Sequence, residues 1–533
     1  MRPAGPGQEL AVPAARPPSA ARSGWRAWRL TWSHPAVLSC LVTAAGAALW
    51  VTVVPRVGTD LSAAIARAGW AGRYPDSAYI FSWYGGIHPA GYSLLAPYLL
   101  AIAGTRLAMA VAAVISAGLL ALLLVRHRVP RPLAGSMWGA VALCTELTAG
   151  RAAFTLAIAA ALGCVVMADA GRAAGWPRLL SAAGLALLTG LLSPVAALFL
   201  GIVAVAFALT GRWARGLVIG VAAALPLGAM ALFSDGGVQP VTAASCVPPL
   251  LAVAGALVLI PRRWRMVRIG AIVYGLGILA ACLVPTPVGS NVERLGELVA
   301  GPLLAGLGSS RHRWLLAGAL VAVAGWQVAQ PSADLAQGSA PPYSPQTAGL
   351  VHELRVLRAD TARVEAVPQY GHWESQQLAS VVPLARGWER QVDIERNPLF
   401  YHGTLTPSAY HAWLRYNAVR YVAISAAPPD FAAVAETDLV RAGQPWLVPV
   451  WHDAYWQLYR VTGTLPLASP PATVTGSTPA LITLRMSRAG QAIVRVRWSP
   501  LLRASGTAVV RQHGAWTSLT VRRRGSYTLS APY

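Results

Sequence analysis

Apolar runs of about 15 to 20 residues recur through the first two thirds of this chain, and no other feature limits the fold as strongly. They occupy 36–55, 88–104, 106–125, 132–149, 152–168, 179–192, 194–210, 217–233, 247–260, 269–285, 294–307 and 314–329. In lipid the backbone must satisfy its own hydrogen bonds, so such runs become helices. The chain is 55% hydrophobic and only 12% charged, where a soluble protein is about a quarter charged. The expected class is a mainly α, polytopic membrane protein.

Arginine placement sets the expected topology. The sequence has no lysine, so all 43 basic residues other than histidine are arginine. A net charge of +23 would suit nucleic acid, but many of the arginines lie in short loops between apolar runs, where they orient spans. No nucleic-acid partner is expected. If 88–104 dips into the membrane without crossing, Arg126, Arg128, Arg131, Arg172, Arg178, Arg212, Arg215, Arg262, Arg263, Arg265, Arg268, Arg311 and Arg313 fall on one side. The loops at Ser193 and 234–246, on the other side, hold none. The pattern predicts about 11 transmembrane helices, a cytoplasmic N-terminus and an extracytoplasmic C-terminal domain. The 179–210 stretch is too long for one span, so Ser193-Pro194 reads as an outer turn.

The expected domains are a disordered tail at 1–35, a membrane domain at 36–329 with an extracytoplasmic loop at 56–105, and a linker at 330–346. An extracytoplasmic α/β domain follows at 347–465, then a β-rich module at 466–533. Within the α/β domain, helices are expected at 350–357, 406–417 and 430–440, and strands at 363–367, 420–425 and 455–461. The five cysteines, Cys40, Cys144, Cys164, Cys246 and Cys282, show no CxxC spacing, so neither a disulfide framework nor a zinc site is expected.

Ionisable groups near a membrane are costly and often functional. Here they gather toward the outer side. Asp60 follows the first span closely; it suits a general base for a hydroxyl acceptor, or with Thr59 the cap of an interfacial helix. Asp76, after Pro75, is a turn residue or a second acid. His88 is a substrate contact, a proton shuttle or a structural histidine. Arg151 suits a lipid phosphate or a pair with Glu146, and Arg294 a phosphate or a pair with Glu293 or Glu297. Trp70, Tyr74, Tyr79, Phe81, Trp83 and Tyr84 read as an interfacial aromatic belt or a sugar-stacking wall. The dense segment 386–397, with Trp388, Glu389 and Asp393, lines an acceptor groove or forms a solvated loop. Walker A, HExxH and GxSxG motifs are absent, and ATP-driven chemistry is not expected.

A first span, a long loop with an early aspartate, the segment GGIHPAGYSLLAPYLLAIAGTR, many further spans and an outward C-terminal domain together resemble the GT-C superfamily of membrane glycosyltransferases. TAGRAAFTLAIAAAL, LLSPVAALFL, GSNVERLGELVAGPLLA and RGWERQVDIERNPLFY look like segments of actinobacterial integral membrane proteins related to that group. The resemblance covers most of 36–460 and omits the β-module. It implies a membrane-lipid setting, a polyprenyl-phosphate sugar donor and a cell-wall glycan acceptor, with transfer on the outer face of the cell membrane. It maps the superfamily's early-loop aspartate onto Asp60 as general base. Those enzymes often carry an acidic pair in this loop; Asp60 has no acidic neighbour, so Asp76 would have to fold back. Glu293 and Arg294, with Arg151, Trp388, Glu389 and Asp393, are the expected substrate contacts. No cofactor is assigned, and a divalent metal is left open. The competing readings are a membrane transporter or lipid flippase, and a non-catalytic envelope scaffold.

Overall fold

A computed structural model describes residues 33–55, 58–169, 175–308, 312–338 and 344–533. The expected tail lies almost entirely outside them. Helix α1 (Pro35–Thr52) leads into a loop that holds α2 (Thr59–Arg73) and the short α3 (Ala96–Ala103). The bundle continues with α4 (Thr105–Arg126), α5 (Pro132–Ala149), α6 (Ala152–Ala168), α7 (Trp176–Leu192), α8 (Pro194–Leu209) and α9 (Trp213–Ala231). It closes with α10 (Ala243–Leu259), α11 (Arg265–Leu283), α12 (Glu293–Gly306) and α13 (Arg313–Gly338).

Five of these helices, α1, α4, α9, α11 and α13, are long and apolar enough to cross a membrane; α6, α7, α8 and α10 are shorter apolar helices. The chain is therefore a membrane protein in character. The 88–104 segment forms only a 3-10 turn at Pro89–Gly91 and the eight-residue α3. At 1.5 Å per residue α3 is about 12 Å long, against a hydrocarbon core of about 30 Å. At the α7–α8 turn, Ser193 caps α8, its Oγ accepting the Ala196 N–H at 3.4 Å, and Pro194 takes the first helical position.

Two expectations change. Where the sequence reads a linker from 330, α13 continues through Pro331 to Gly338. Asp334 on that last turn is fully buried and accepts the Tyr370 hydroxyl at 3.3 Å, so tertiary contact holds the turn against the proline. The cysteines also pair after all. Cys246 at the start of α10 is bonded to Cys282 at the end of α11, 36 residues on. A pair formed by neighbouring helix ends has no sequence signature of its own.

The α/β domain contains α14 (Ser344–Val356), β1 (Arg363–Ala366), α15 (Trp373–Gln377), α16 (Arg390–Arg396), α17 (Pro407–Tyr416), β2 (Val419–Ser425), α18 (Val434–Arg441), β3 (Leu447–His452) and β4 (Trp456–Val461). Its sheet order is β1-β2-β4-β3, with β1 parallel to β2 and the other pairs antiparallel. Thr406 caps α17 and Pro407 begins it, as the pattern reads. Strand β3, which carries Pro449 at an edge, has no sequence counterpart. At the centre, the buried Arg386 guanidinium pairs with Glu365 at 2.6 Å and with Glu436, which also accepts the Tyr410 hydroxyl at 2.7 Å.

The remaining strands are β5 (Ala472–Ser477), β6 (Ile482–Met486), β7 (Gly490–Arg497), β8 (Arg503–Ala504), β9 (Val509–His513), β10 (Trp516–Val521) and β11 (Gly525–Ser530). They form two antiparallel sheets, β7-β10-β9 and β5-β6-β11-β8, over one apolar core.

The loop between α2 and α3 is wedged between these outer parts. Trp70, Ile80, Trp83, Tyr84 and Ile87 pack with the α/β sheet, while Tyr79 and Phe81 enter the β-module core. Five of the aromatics expected to form a belt or an open sugar wall, Trp70, Tyr79, Phe81, Trp83 and Tyr84, are therefore buried joints. Three of them are also hydrogen-bonded: Trp83 Nε1 donates to Ser375 O at 2.9 Å, the Tyr79 hydroxyl to Arg497 O at 3.0 Å and the Tyr84 hydroxyl to Glu389 O at 3.3 Å. Burying side chains of this size stabilises by about 2–3 kcal/mol each, enough to set the loop's shape.

Candidate functional site

The first turn of α2 is fixed by backbone contact. Gly58 has φ +102°, and a Cβ there would lie 2.6 Å from Thr148 O; a Cβ on Gly150, φ +75°, would lie 2.7 Å from the backbone N of Leu61. Two residues able to take positive φ thus let the start of α2 lie directly against the α5–α6 turn. The helix N-cap is Gly58, with no side-chain cap, so the capping role expected for Thr59 or Asp60 does not occur. The Asp60 carboxylate instead accepts from Arg294 Nη2 at 3.2 Å.

Asp60 opens onto a cavity of about 510 Å³ between the helical bundle and the α/β domain. Its walls include the first residues of α2 (Thr59, Asp60), α6 (Ala153, after Arg151), α8 (Pro194, Val195) and α12 (Glu293, Arg294). Four helix N-termini therefore face one space. Each carries partial positive charge, and those of α2, α6 and α8 begin without a preceding helical turn; at α12 the 3-10 turn Gly289–Val292 and the Tyr274 hydroxyl take up first-turn N–H groups. Only α8 among the four has a side-chain cap. Three arginines add to this field. Arg294 bridges to Asp60 and lies over the Phe154 ring, 5.5 Å from its centroid. Arg151 donates through Nη1 to Glu146 and to Glu297, 2.8 Å each. Among the described residues its Nε and Nη2 make no protein hydrogen bond. Arg67, nearly inaccessible, donates to Glu389 at 2.6 Å and lies 4.0 Å from the Tyr92 ring centroid; its Nε is buried without a partner.

The far wall comes from the α/β domain. Trp388 stacks on His372 at 3.5 Å between centroids, and the Arg390 guanidinium lies 4.6 Å from both the Trp388 and Phe431 rings. A bidentate contact to Asp430 at 2.8 and 2.7 Å holds Arg390 in place. His372 lies 3.4 Å from Asp430 and 3.6 Å from Glu374 without good hydrogen-bond geometry, so charge rather than directional bonding joins them. Burial opposes the His372 imidazolium, but the contacts to Asp430 and Glu374 outweigh it and hold its pKa above the ordinary value of 6.5. Burial also works against the Asp430 carboxylate, yet His372 and Arg390 keep it well below the ordinary aspartate range. Glu389 is pushed above the usual glutamate range, chiefly by burial, with Arg67 pulling the other way.

The cavity thus gathers Asp60, Arg151, Glu293, Arg294, Trp388 and Glu389 of the expected site residues. Three others stand elsewhere. Asp76 is exposed in a turn, and its carbonyl accepts the Tyr533 N–H at 3.0 Å, so it does not fold back to Asp60. Asp393 is buried behind the wall, accepting from Asn397 at 2.8 Å and Tyr401 at 2.5 Å. His88 sits one residue behind the lining, with Nδ1 3.1 Å from Asp235 and Nε2 2.9 Å from Ser499 Oγ. That outline matches a nucleophilic triad, but Ser499 is completely buried and its Oγ also accepts the Leu501 N–H. Arg396 donates to Asp235 as well, at 2.9 Å, so this cluster is a strut joining loop, bundle and both outer domains. Of the remaining lining residues, Arg67 and Asp235 stand in the sequence among the outer-side ionisable groups and Arg390 within the dense 386–397 segment, while Tyr92, Asp430 and Phe431 carry no signal of a site there.

Chemically, the cavity can hold an anion at the helix N-termini and arginines, with a carboxylate base beside it. Among the described residues, no group of three or more His, Cys, Asp or Glu is arranged to hold a metal ion. No protein-family model matches the chain, and no curated protein matches its sequence. Among solved structures it is similar to the arabinofuranosyltransferase AftD from Mycobacteria, with 15% identity and a TM-score of 0.46, over 94% of this chain. The chain spans about 60% of the length of that protein, and a likeness so distant carries no function with it.

Proposed function

We propose that this protein is a membrane glycosyltransferase of GT-C type, moving a sugar from a polyprenyl-phosphate donor to a cell-envelope glycan acceptor on the outer face. The observation that carries the reading is the convergence of four helix N-termini, three arginines and Asp60 on one cavity. Phosphate is the group that such N-termini bind, and the rim of a membrane bundle is where a lipid-linked phosphate is presented. Eleven bundle helices are read as spans, with α2 and α3 at the interface. The Cys246–Cys282 pair supports placing the cavity end outside, because disulfides persist in oxidising compartments.

In the reaction, the acceptor hydroxyl gives its proton to Asp60 as its oxygen forms a bond to the sugar's anomeric carbon. The bond from that carbon to the donor phosphate oxygen breaks, and the lipid phosphate leaves with the electron pair. Arg151, Arg294, Arg67 and the helix dipoles hold the extra negative charge where it develops. Arg294 also aims the Asp60 carboxylate. A transporter would need polar groups near the bundle midplane, whereas these collect at one rim.

Mass spectrometry of lipids retained in mild detergent tests this. Expected is a co-purifying polyprenyl phosphate, lost on Arg151→Met or Arg294→Met substitution. Retention of bulk phospholipid alone, with no uptake of added polyprenyl phosphate, would end the transferase reading.

A further inference from the structure

Residues 466–533 contain nine arginines and no aspartate or glutamate. Arginines that orient spans belong beside the membrane on the cytoplasmic side, and these lie in a folded β-module on the cavity side of the bundle. The strand register shows where five of them collect. Strand β11 begins at Gly525, paired with Met486 of β6, and β10 ends at Val521, paired with Gly490 of β7. The connections 487–489 and 522–524 therefore lie side by side at one end of the two sheets. They bring together Arg485, Arg488, Arg522, Arg523 and Arg524, all exposed. None of the five makes an ion pair with any described residue.

The opposite end of the module faces the membrane loop. Past β11, Pro532 bridges to Ser77, and Tyr533 lies 6.4 Å from the Phe233 ring at the end of α9. The six residues of β11, at about 3.4 Å each, put the arginine end about 20 Å beyond that contact. This is about two Debye lengths at 0.1 M salt, so charges at the loop contact are largely screened from these arginines. Five like charges repel one another, and no acidic residue in 466–533 offsets them, so the surface is complementary to a polyanion.

We infer that the arginine end of the β-module is a docking surface for an anionic carbohydrate polymer, one bearing carboxylate or phosphodiester groups along its chain. The inference rests on the outward placement proposed above and not on the transfer chemistry. Binding a polyelectrolyte through five charges releases counterions. The affinity then falls about a hundredfold between 50 and 200 mM salt, using the single-strand coefficient of about 0.7 per charge.

The test uses the full chain in nanodiscs of zwitterionic lipid. Polygalacturonate supplies the carboxylate arm, a phosphomannan the phosphodiester arm, and dextran the neutral control. The expected result is salt-dependent binding of at least one anionic polymer and none of dextran. Combined Arg485→Gln, Arg522→Gln, Arg523→Gln and Arg524→Gln substitution should cut affinity at least tenfold and reduce the salt slope to about that of one charge, with an unchanged thermal midpoint. Equal binding by that variant, or no binding of either polymer, overturns the inference. So does arginine-dependent capture of anionic vesicles without polymer binding, which would make a membrane surface the partner. Polyprenyl-phosphate uptake, measured alongside, reports on the transferase reading separately.

Discussion

Replacing Asp60 with asparagine separates a catalytic carboxylate from a structural one. Asparagine keeps the shape and an oxygen able to accept from Arg294 Nη2 at the observed 3.2 Å, so the start of α2 should not move. The ion pair itself is worth little to folding. Its side chains are 29% and 15% exposed, and its gross Coulomb attraction of about 5 kcal/mol at an effective dielectric of 20 is largely offset by desolvation. A net stability change of about 1 kcal/mol or less is expected. Loss of a general base costs about 10²- to 10⁴-fold in rate, which raises the barrier by about 3–5.5 kcal/mol. The loss should fall on kcat. Polyprenyl-phosphate affinity should stay level or rise, because a negative charge has left the phosphate site. The assay is transfer of labelled sugar from a polyprenyl-phosphate donor, run beside thermal unfolding and lipid binding on the same preparation. Activity within tenfold of wild type would remove Asp60 from the chemistry. A parallel loss of activity and several degrees of thermal midpoint would make it structural.

Arg386→Met should destabilise the α/β domain by about 3–5 kcal/mol, because Glu365 and Glu436 are left as buried, uncompensated carboxylates; the thermal midpoint measures it. The His372–Asp430 contact gives a pH signature. The histidine's contribution is full below its unfolded value of 6.5 and is lost as pH rises through its raised folded pKa. The aspartate's is full above 3.8 and is lost only in stronger acid, so the pair contributes most between pH 3.8 and 6.5. A His372→Gln variant should flatten the decline in thermal midpoint above pH 6.5, and an unchanged slope would refute the assignment. Alkylation of the unfolded chain should label Cys40, Cys144 and Cys164 without reductant and all five cysteines with it. Five labels before reduction would disprove the pairing and remove its support for orientation.

Much of the bundle was legible because hydrophobic periodicity and arginine placement are local signals. The short reach of the 88–104 segment and the Ser193-Pro194 turn followed from length and charge alone. Asp60, Arg151, Glu293 and Arg294 stood out because ionisable groups beside apolar runs need a reason. The aromatics at 70–84 could not be read correctly. Composition says that tryptophan and tyrosine favour interfaces, but their burial depends on two domains more than 250 residues away. The far wall of the cavity was half visible. Trp388, Glu389 and Arg390 lie in a dense polar segment, while Asp430 and Phe431 meet them only through the α/β fold. Asp393 looked identical to its neighbours in sequence, yet one helical turn directs it inward to Asn397 and Tyr401.

The wedged loop has a consequence for biosynthesis. Tyr79 bonds to Arg497, a partner 418 residues further along, and Phe81 N–H donates to Pro479 O at 2.7 Å. At ribosomal speeds of about 5–20 residues per second, the loop waits about 20 to 80 s for its covering strands to be made. During that interval its tryptophans and tyrosines face water or headgroups. A nascent chain in that state has the helices of the bundle but not the far wall of the cavity, which the α/β domain supplies. The loop therefore reaches its buried shape only once both the α/β sheet and the β-module have been made and have packed against it.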